Sequence, residues 1–120
     1  MAPALKVENP PHVQHMMELA ANLQINRVEV FKHDLEAEIN AKTMTASERE
    51  VHASPVVIAL CAEGDLSYIK PLASDMAAHM RSVSIDGRTI CNATLVARRL
   101  AELGDGENSA ILLGLIEHWP

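Results

Sequence analysis

A chain with only three aromatic side chains, Phe31, Tyr68 and Trp119, among 120 residues must close its core with Leu, Ile, Val, Ala and Met. That palette is helical, because small and straight-chain residues lose little rotamer freedom in a helix. Apolar types make up 48% of the sequence, enough for one core that needs no metal or disulfide staple. The expectation is a mainly α protein. It is read as a single domain over residues 1–120, a bundle of about five to six helices, with residues 1–9 a flexible leader.

The starts and stops can be placed. Asn9-Pro10-Pro11 opens a helix, since proline is tolerated in a first turn. Val13, Met16 or Met17, Ala20 and Leu23 repeat at helical spacing. Ile25, Val28, Phe31, Leu35 and Ile39 carry a second register to about Ala41. Thr45-Ala46-Ser47-Glu48 has the form of a capping box. Ser54-Pro55 starts the next helix, Gly64 closes it and Asp65 opens another. Leu66, Ile69, Leu72, Met76, Met80 and Val83 then form an apolar stripe, with Pro71 a kink or restart.

In "VSIDGRTI", Asp86-Gly87 between short β-branched runs is a hairpin signal, so residues 83–90 are a candidate two-strand flap. Asn92 or Thr89 is expected to cap "ATLVARRLAEL", and Gly104 to end it. "GDGEN" then turns the chain into the last helix, "SAILLGLIEHWP".

Cys61 and Cys91 lack a partner motif and read as buried thiols. "MAPALKVENPPH" lacks a signal-segment pattern. "PVVIALCA" and "AILLGLI" are too short to span a bilayer. The expectation is a cytoplasmic protein with no membrane role, no cofactor and no metal. The net charge of −6 argues against a general nucleic-acid coat. Residues 81–103 are locally basic, with Arg81, Arg88, Arg98 and Arg99 against Asp86 and Glu102.

Polar side chains cluster in three places. His12, His15 and Glu18 lie along one helix edge at ligand-compatible spacing, but no distant third ligand is marked, and a solvated face explains them. Asp34, Glu36, Glu38, Glu48 and Glu50 form either an acidic docking face or the wet side of amphipathic helices. Arg98 and Arg99 sit near a helix C-terminus, where cations favour the dipole. No nucleophile elbow, Walker loop, dinucleotide glycine turn or Cys-x-x-Cys pair is present, so no catalytic residue is assigned and the chain is read as a non-enzyme.

The last helix carries the functional expectation. Ile111, Leu112, Leu113, Leu115, Ile116 and Trp119 spread around its circumference, and such a helix must be covered on every side. Either it is the central helix, or Leu112, Leu115, Ile116 and Trp119 form a surface for self-association or a partner. The first reading is therefore a small non-enzymatic protein-binding module: an adaptor, inhibitor or regulatory subunit. It suits a bacterial or phage accessory protein that forms a homodimer and binds another protein. The alternative is a winged helix-turn-helix DNA-binding regulator. There residues 66–82 form the reader, 83–90 form the wing, and Lys70, Arg81 and Arg88 touch nucleic acid.

Overall fold

The computed structural model describes residues 8–119. Among them are seven helices and no strand: α1 Pro11–Asn22, α2 Arg27–Asn40, α3 Ala46–Val51, α4 Pro55–Glu63, α5 Leu66–Ser82, α6 Gly87–Glu102 and α7 Gly106–Glu117. The leader expected over residues 1–9 lies outside the described residues as far as residue 7. The mainly α class holds, with more helices than expected. No described helix is long and apolar enough to cross a membrane.

Local chemistry sets most boundaries. The Thr45 hydroxyl accepts the Glu48 amide, while Glu48 reaches back to the Thr45 amide, completing a capping box at α3. The Ser54 side chain caps α4 with Pro55 in its first turn, and Gly64 ends α4 in the left-handed region at φ 70°. Asp65 caps α5 through the Ser67 amide, and α5 then runs unbroken through Pro71. Pro71 therefore does not restart the helix; the amide it lacks is the one that would have bonded the Ser67 carbonyl. The two apolar registers expected early in the chain are separate helices. Leu23 takes an extended conformation after α1, and the Asn26 side chain caps α2 by accepting the Val28 and Glu29 amides.

The hairpin expected over residues 83–90 is absent. Val83 is extended, but Asp86 Oδ1 accepts the Thr89 amide at 2.7 Å and Gly87 begins α6. An aspartate followed by glycine serves either as a turn or as a cap. Here the arms are too short to sustain a pair of strands, while a helix started at Asp86 buries Ile90 and Cys91. Asp86 thus replaces Asn92 or Thr89 as the cap. Asn92 instead accepts the Ser54 amide at 2.7 Å, tying the start of α4 to α6.

The core is organised around α6. Ile90, Cys91, Ala93, Thr94, Leu95, Val96, Ala97 and Leu100 are all buried, and α2, α3, α4, α5 and α7 pack against this one helix. Its small residues let neighbours approach from several directions, and Thr94 turns its hydroxyl back onto the Ile90 carbonyl. Leu60, Ile69, Ile90, Leu100 and Leu112 are fully buried, each worth roughly 1.5–3 kcal/mol. The central helix is therefore the sixth, not the last; α7 covers α6 and α5 on one side and leaves Ile111 and Leu113 in solvent.

The joint between α6 and α7 is tight. The Gly104 amide bonds the Ala101 carbonyl and the Asp105 amide bonds the Leu100 carbonyl, a Schellman closure with Gly104 at φ 92°. Asp105 then caps α7, and its hydrogen bonds from Asn108 hold its carboxyl below the usual range. Ser109, one turn later, donates to the Ala97 carbonyl at 2.6 Å.

Candidate functional site

In most of these helices the larger apolar side chains turn mainly inward. The clearest exception is α2. Its inner side is Ala37, with Ala41 just beyond its end, both fully buried and laid against Gly87 at the start of α6. The glycine lacks the Cβ that would hold the two backbones apart. A Cβ there would lie 2.5 Å from the Ala37 carbonyl oxygen and 3.0 Å from Ala41 Cβ. The helix docks by its small face, so its large residues point outward.

Those large residues form one stripe. Val28 is 62% exposed, Phe31 68%, Leu35 49% and Ile39 70%. Steps of three and four keep them on a single side of the helix. Polar contacts fix α2 to the body beside the stripe. Asp34 meets Arg88 at 3.0 Å, Glu36 meets His52 at 3.2 Å, and His33 stacks on His52 with ring centroids 4.4 Å apart. The stripe is consequently held in place from beneath. Burying such side chains against a partner gains what leaving them in water forfeits, on the order of 1 kcal/mol or more each.

A second candidate is a groove of about 730 Å³ between α3, α4 and α6, floored by Val51, Ile58, Ala62 and Leu95 and rimmed by Arg98 and Arg99. Its arginines are already engaged. Arg98 pairs with Glu50 at 2.5 Å and with Glu102; Arg99 pairs with Glu102 at 2.7 Å and donates to the Cys61 carbonyl at 2.8 Å. These contacts join α6 to α3 and α4 and occupy the charge that an anion in the groove would need.

The surface expected on the last helix is not a free one. Leu112 is buried, and Leu115, Ile116 and Trp119 are partly buried against the bundle's own core. Trp119 donates its indole N–H to the Ile85 carbonyl at 3.1 Å, and Lys42 lies 5.3 Å from its ring centroid. Leu112 is covered from within the chain, and the other three are covered in part. Among the nucleic-acid candidates, Lys70 and Arg81 are exposed on α5, eleven residues or about 16 Å apart along the helix. Arg88 stands on α6 and is committed to Asp34. The segment read as a wing is the α5–α6 link and the first turn of α6.

His12 and His15 do not share a solvated edge as expected. His12 is buried and lies 2.5 Å from Asp75 of α5, while His15 lies 2.5 Å from Glu63 of α4 and stacks on Tyr68 at 4.1 Å. His12 thus anchors α1 to α5, and His15 anchors it to both α4 and α5. Among the described residues, no group of three or more His, Cys, Asp or Glu side chains is placed to hold a metal ion.

Cys61 and Cys91 are buried and unbonded, and burial raises both thiol pKa values, Cys61 from 9.0 to about 11. In the folded protein, Cys61 is expected to resist alkylation at pH 8 and to react only on unfolding. The raised pKa also sets a sign. Its stabilising contribution is intact below pH 9 and is lost as the pH rises through about 11. Rapid labelling of native Cys61 at pH 8 would contradict this burial.

The stripe on α2 could be anticipated only in part. The sequence shows its 3–4 spacing, but not that Ala37, Ala41 and Gly87 supply a second, smaller apolar side for docking. Compared with known proteins, the chain matches no family model, no curated protein and no solved structure.

Proposed function

We propose that this chain is a small, non-enzymatic protein-binding module, an adaptor, inhibitor or regulatory subunit acting in the cytoplasm, and that α2 is its binding face. The observation that carries the reading is the stripe Val28, Phe31, Leu35 and Ile39, four large apolar side chains exposed on one side of a helix whose opposite side is docked. Contiguous apolar surface of this kind marks interaction sites, and Phe31 adds an aromatic side chain of a type enriched in interfaces. An amphipathic helix with anchors at such spacing fits a hydrophobic groove or another helix.

The test is affinity capture from host lysate, with nuclease, comparing the wild-type chain with a Phe31→Glu/Leu35→Glu variant. Both substitutions lie on the outer face, so the fold is expected to remain intact by circular dichroism. A nuclease-resistant, stoichiometric protein partner is expected with wild type and should fall at least tenfold with the variant. Equal capture by both would remove α2 as the binding face.

A further inference from the structure

We infer that the outer face of α2 pairs with the same face of a second copy of this chain, the two helices running antiparallel about a two-fold axis near residues 32–34. The inference rests on α2 being a binding face and names its occupant. At 3.6 residues per turn, Val28, Phe31, Leu35 and Ile39 fall within an arc of about 80°. Arg27 and Glu38 flank that arc on one edge, and Lys32 and Glu36 on the other. On the first edge the cation is N-terminal and the carboxylate C-terminal, while on the second Lys32 lies between Glu29 and Glu36.

The Arg27–Glu38 order selects the orientation. In an antiparallel two-fold pair, each edge meets its own counterpart reversed. Arg27 faces Glu38 of the second copy, Lys32 faces Glu36, Val28 meets Ile39 and Phe31 meets Leu35. All four pairings are centred within one helical turn. A parallel pair brings opposite edges together, so Arg27 approaches Lys32 and Glu36 approaches Glu38. Glu36 and Glu38 then repel on both sides, and Arg27 stands near both Glu29 and Lys32 of the other copy instead of pairing cleanly with one carboxylate. An unrelated partner has no need for such self-complementary spacing; a second copy requires it.

The neighbouring charges are largely engaged within the chain, and Lys32 offsets Glu29 where the register brings it toward Glu36 of the second copy. Asp34 is turned to Arg88, Glu36 also contacts His52 at 3.2 Å, and Glu29 lies 3.9 Å from Lys32 on the same edge. The main packing of α2 is against α6. The molecule is elongated, 55 × 36 × 28 Å, with a radius of gyration of 15.1 Å against about 13.6 Å for a compact domain of this size. A helix of 14 residues is about 21 Å long, which gives an interface at the low end of the stable range. The pair is therefore weak, with a dissociation constant on the order of tens of micromolar.

The test is sedimentation equilibrium of the full chain from micromolar to millimolar concentration. Wild type is expected to follow a monomer–dimer equilibrium. Arg27→Glu alone and Glu38→Arg alone should each raise the dissociation constant about tenfold, since each reverses two symmetry-related pairs. The double variant Arg27→Glu/Glu38→Arg should return to within about threefold of wild type. Phe31→Glu should abolish the dimer while circular dichroism stays unchanged. A chain monomeric at 1 mM overturns the inference, as does a dimer indifferent to the charge reversals. A monomer that still captures a partner through Phe31 overturns it alone and leaves the proposed function standing. A charge-swappable dimer with no captured partner does the reverse.

Discussion

Truncating Leu100 to Ala is expected to lower stability by about 2–5 kcal/mol, one of the largest losses available to a single substitution in this chain. Leu100 is fully buried on the central helix, and its carbonyl also receives the Asp105 amide that closes α6. Deleting its side chain forfeits transfer energy and leaves a cavity whose walls belong to helices fixed by other contacts, so collapse can recover little of the loss. For a domain of this size, the midpoint should fall on the order of 10 °C. Thermal unfolding with chemical denaturation as a cross-check measures it. A loss below about 1 kcal/mol, less than the usual cost of emptying a core site, would mean that α6 is not the core the packing describes.

Gly87→Val is expected to produce a different failure of similar size. Gly87 has no unusual φ; glycine is needed because α2 lies against it. A Cβ would meet the Ala37 carbonyl oxygen at 2.5 Å and Glu38 Cα at 3.0 Å, and backbone atoms cannot swing aside as a side-chain tip can. The added methyl groups force α2 outward. Overpacking of this kind costs about 1–3 kcal/mol globally. Hydrogen exchange should show the loss of protection concentrated in α2, with α6 amides from Ala93 to Leu100 still slow. Gly106→Ala is the control, since no atom lies within 4 Å of its added Cβ. Uniform loss of protection, or none, would show that α2 is not seated through this contact.

The residues make clear why the sequence yields the helices more readily than their arrangement. Thr45 with Glu48, Ser54 with Pro55, Gly64 and Gly104 are signals read by their immediate neighbours, and each stands where the sequence puts it. Asp86-Gly87 is ambiguous at that range, because the competing outcomes differ in what Ile90 and Cys91 pack against, many residues away. The centre of the fold is equally non-local. Leu112, Leu115 and Ile116 make α7 look central, but α6 holds that place because Ala93 and Ala97 admit close neighbours. The helix dipole is a sufficient reason for Arg98 and Arg99, yet Glu50 and the Cys61 carbonyl, which they reach, are 48 and 38 residues distant. The candidate face on α2 is hidden for the same reason. Its spacing is that of any core stripe, and only the position of Gly87 decides which side of α2 turns inward.

The short joint between α6 and α7 bears on how the chain reaches this arrangement. Gly104 and Asp105 finish one helix and begin the next, so the most extensively packed pair in the molecule is also among the closest in sequence. Bringing α6 and α7 together loses little loop entropy, whereas docking α2 on α6 must close a segment of some fifty residues for a narrow Ala–Gly contact. Folding should thus nucleate at the C-terminal pair, and α2 should be a late arrival and an early departure. Where such a chain is made on a ribosome, its outer apolar stripe emerges long before the helix that anchors it.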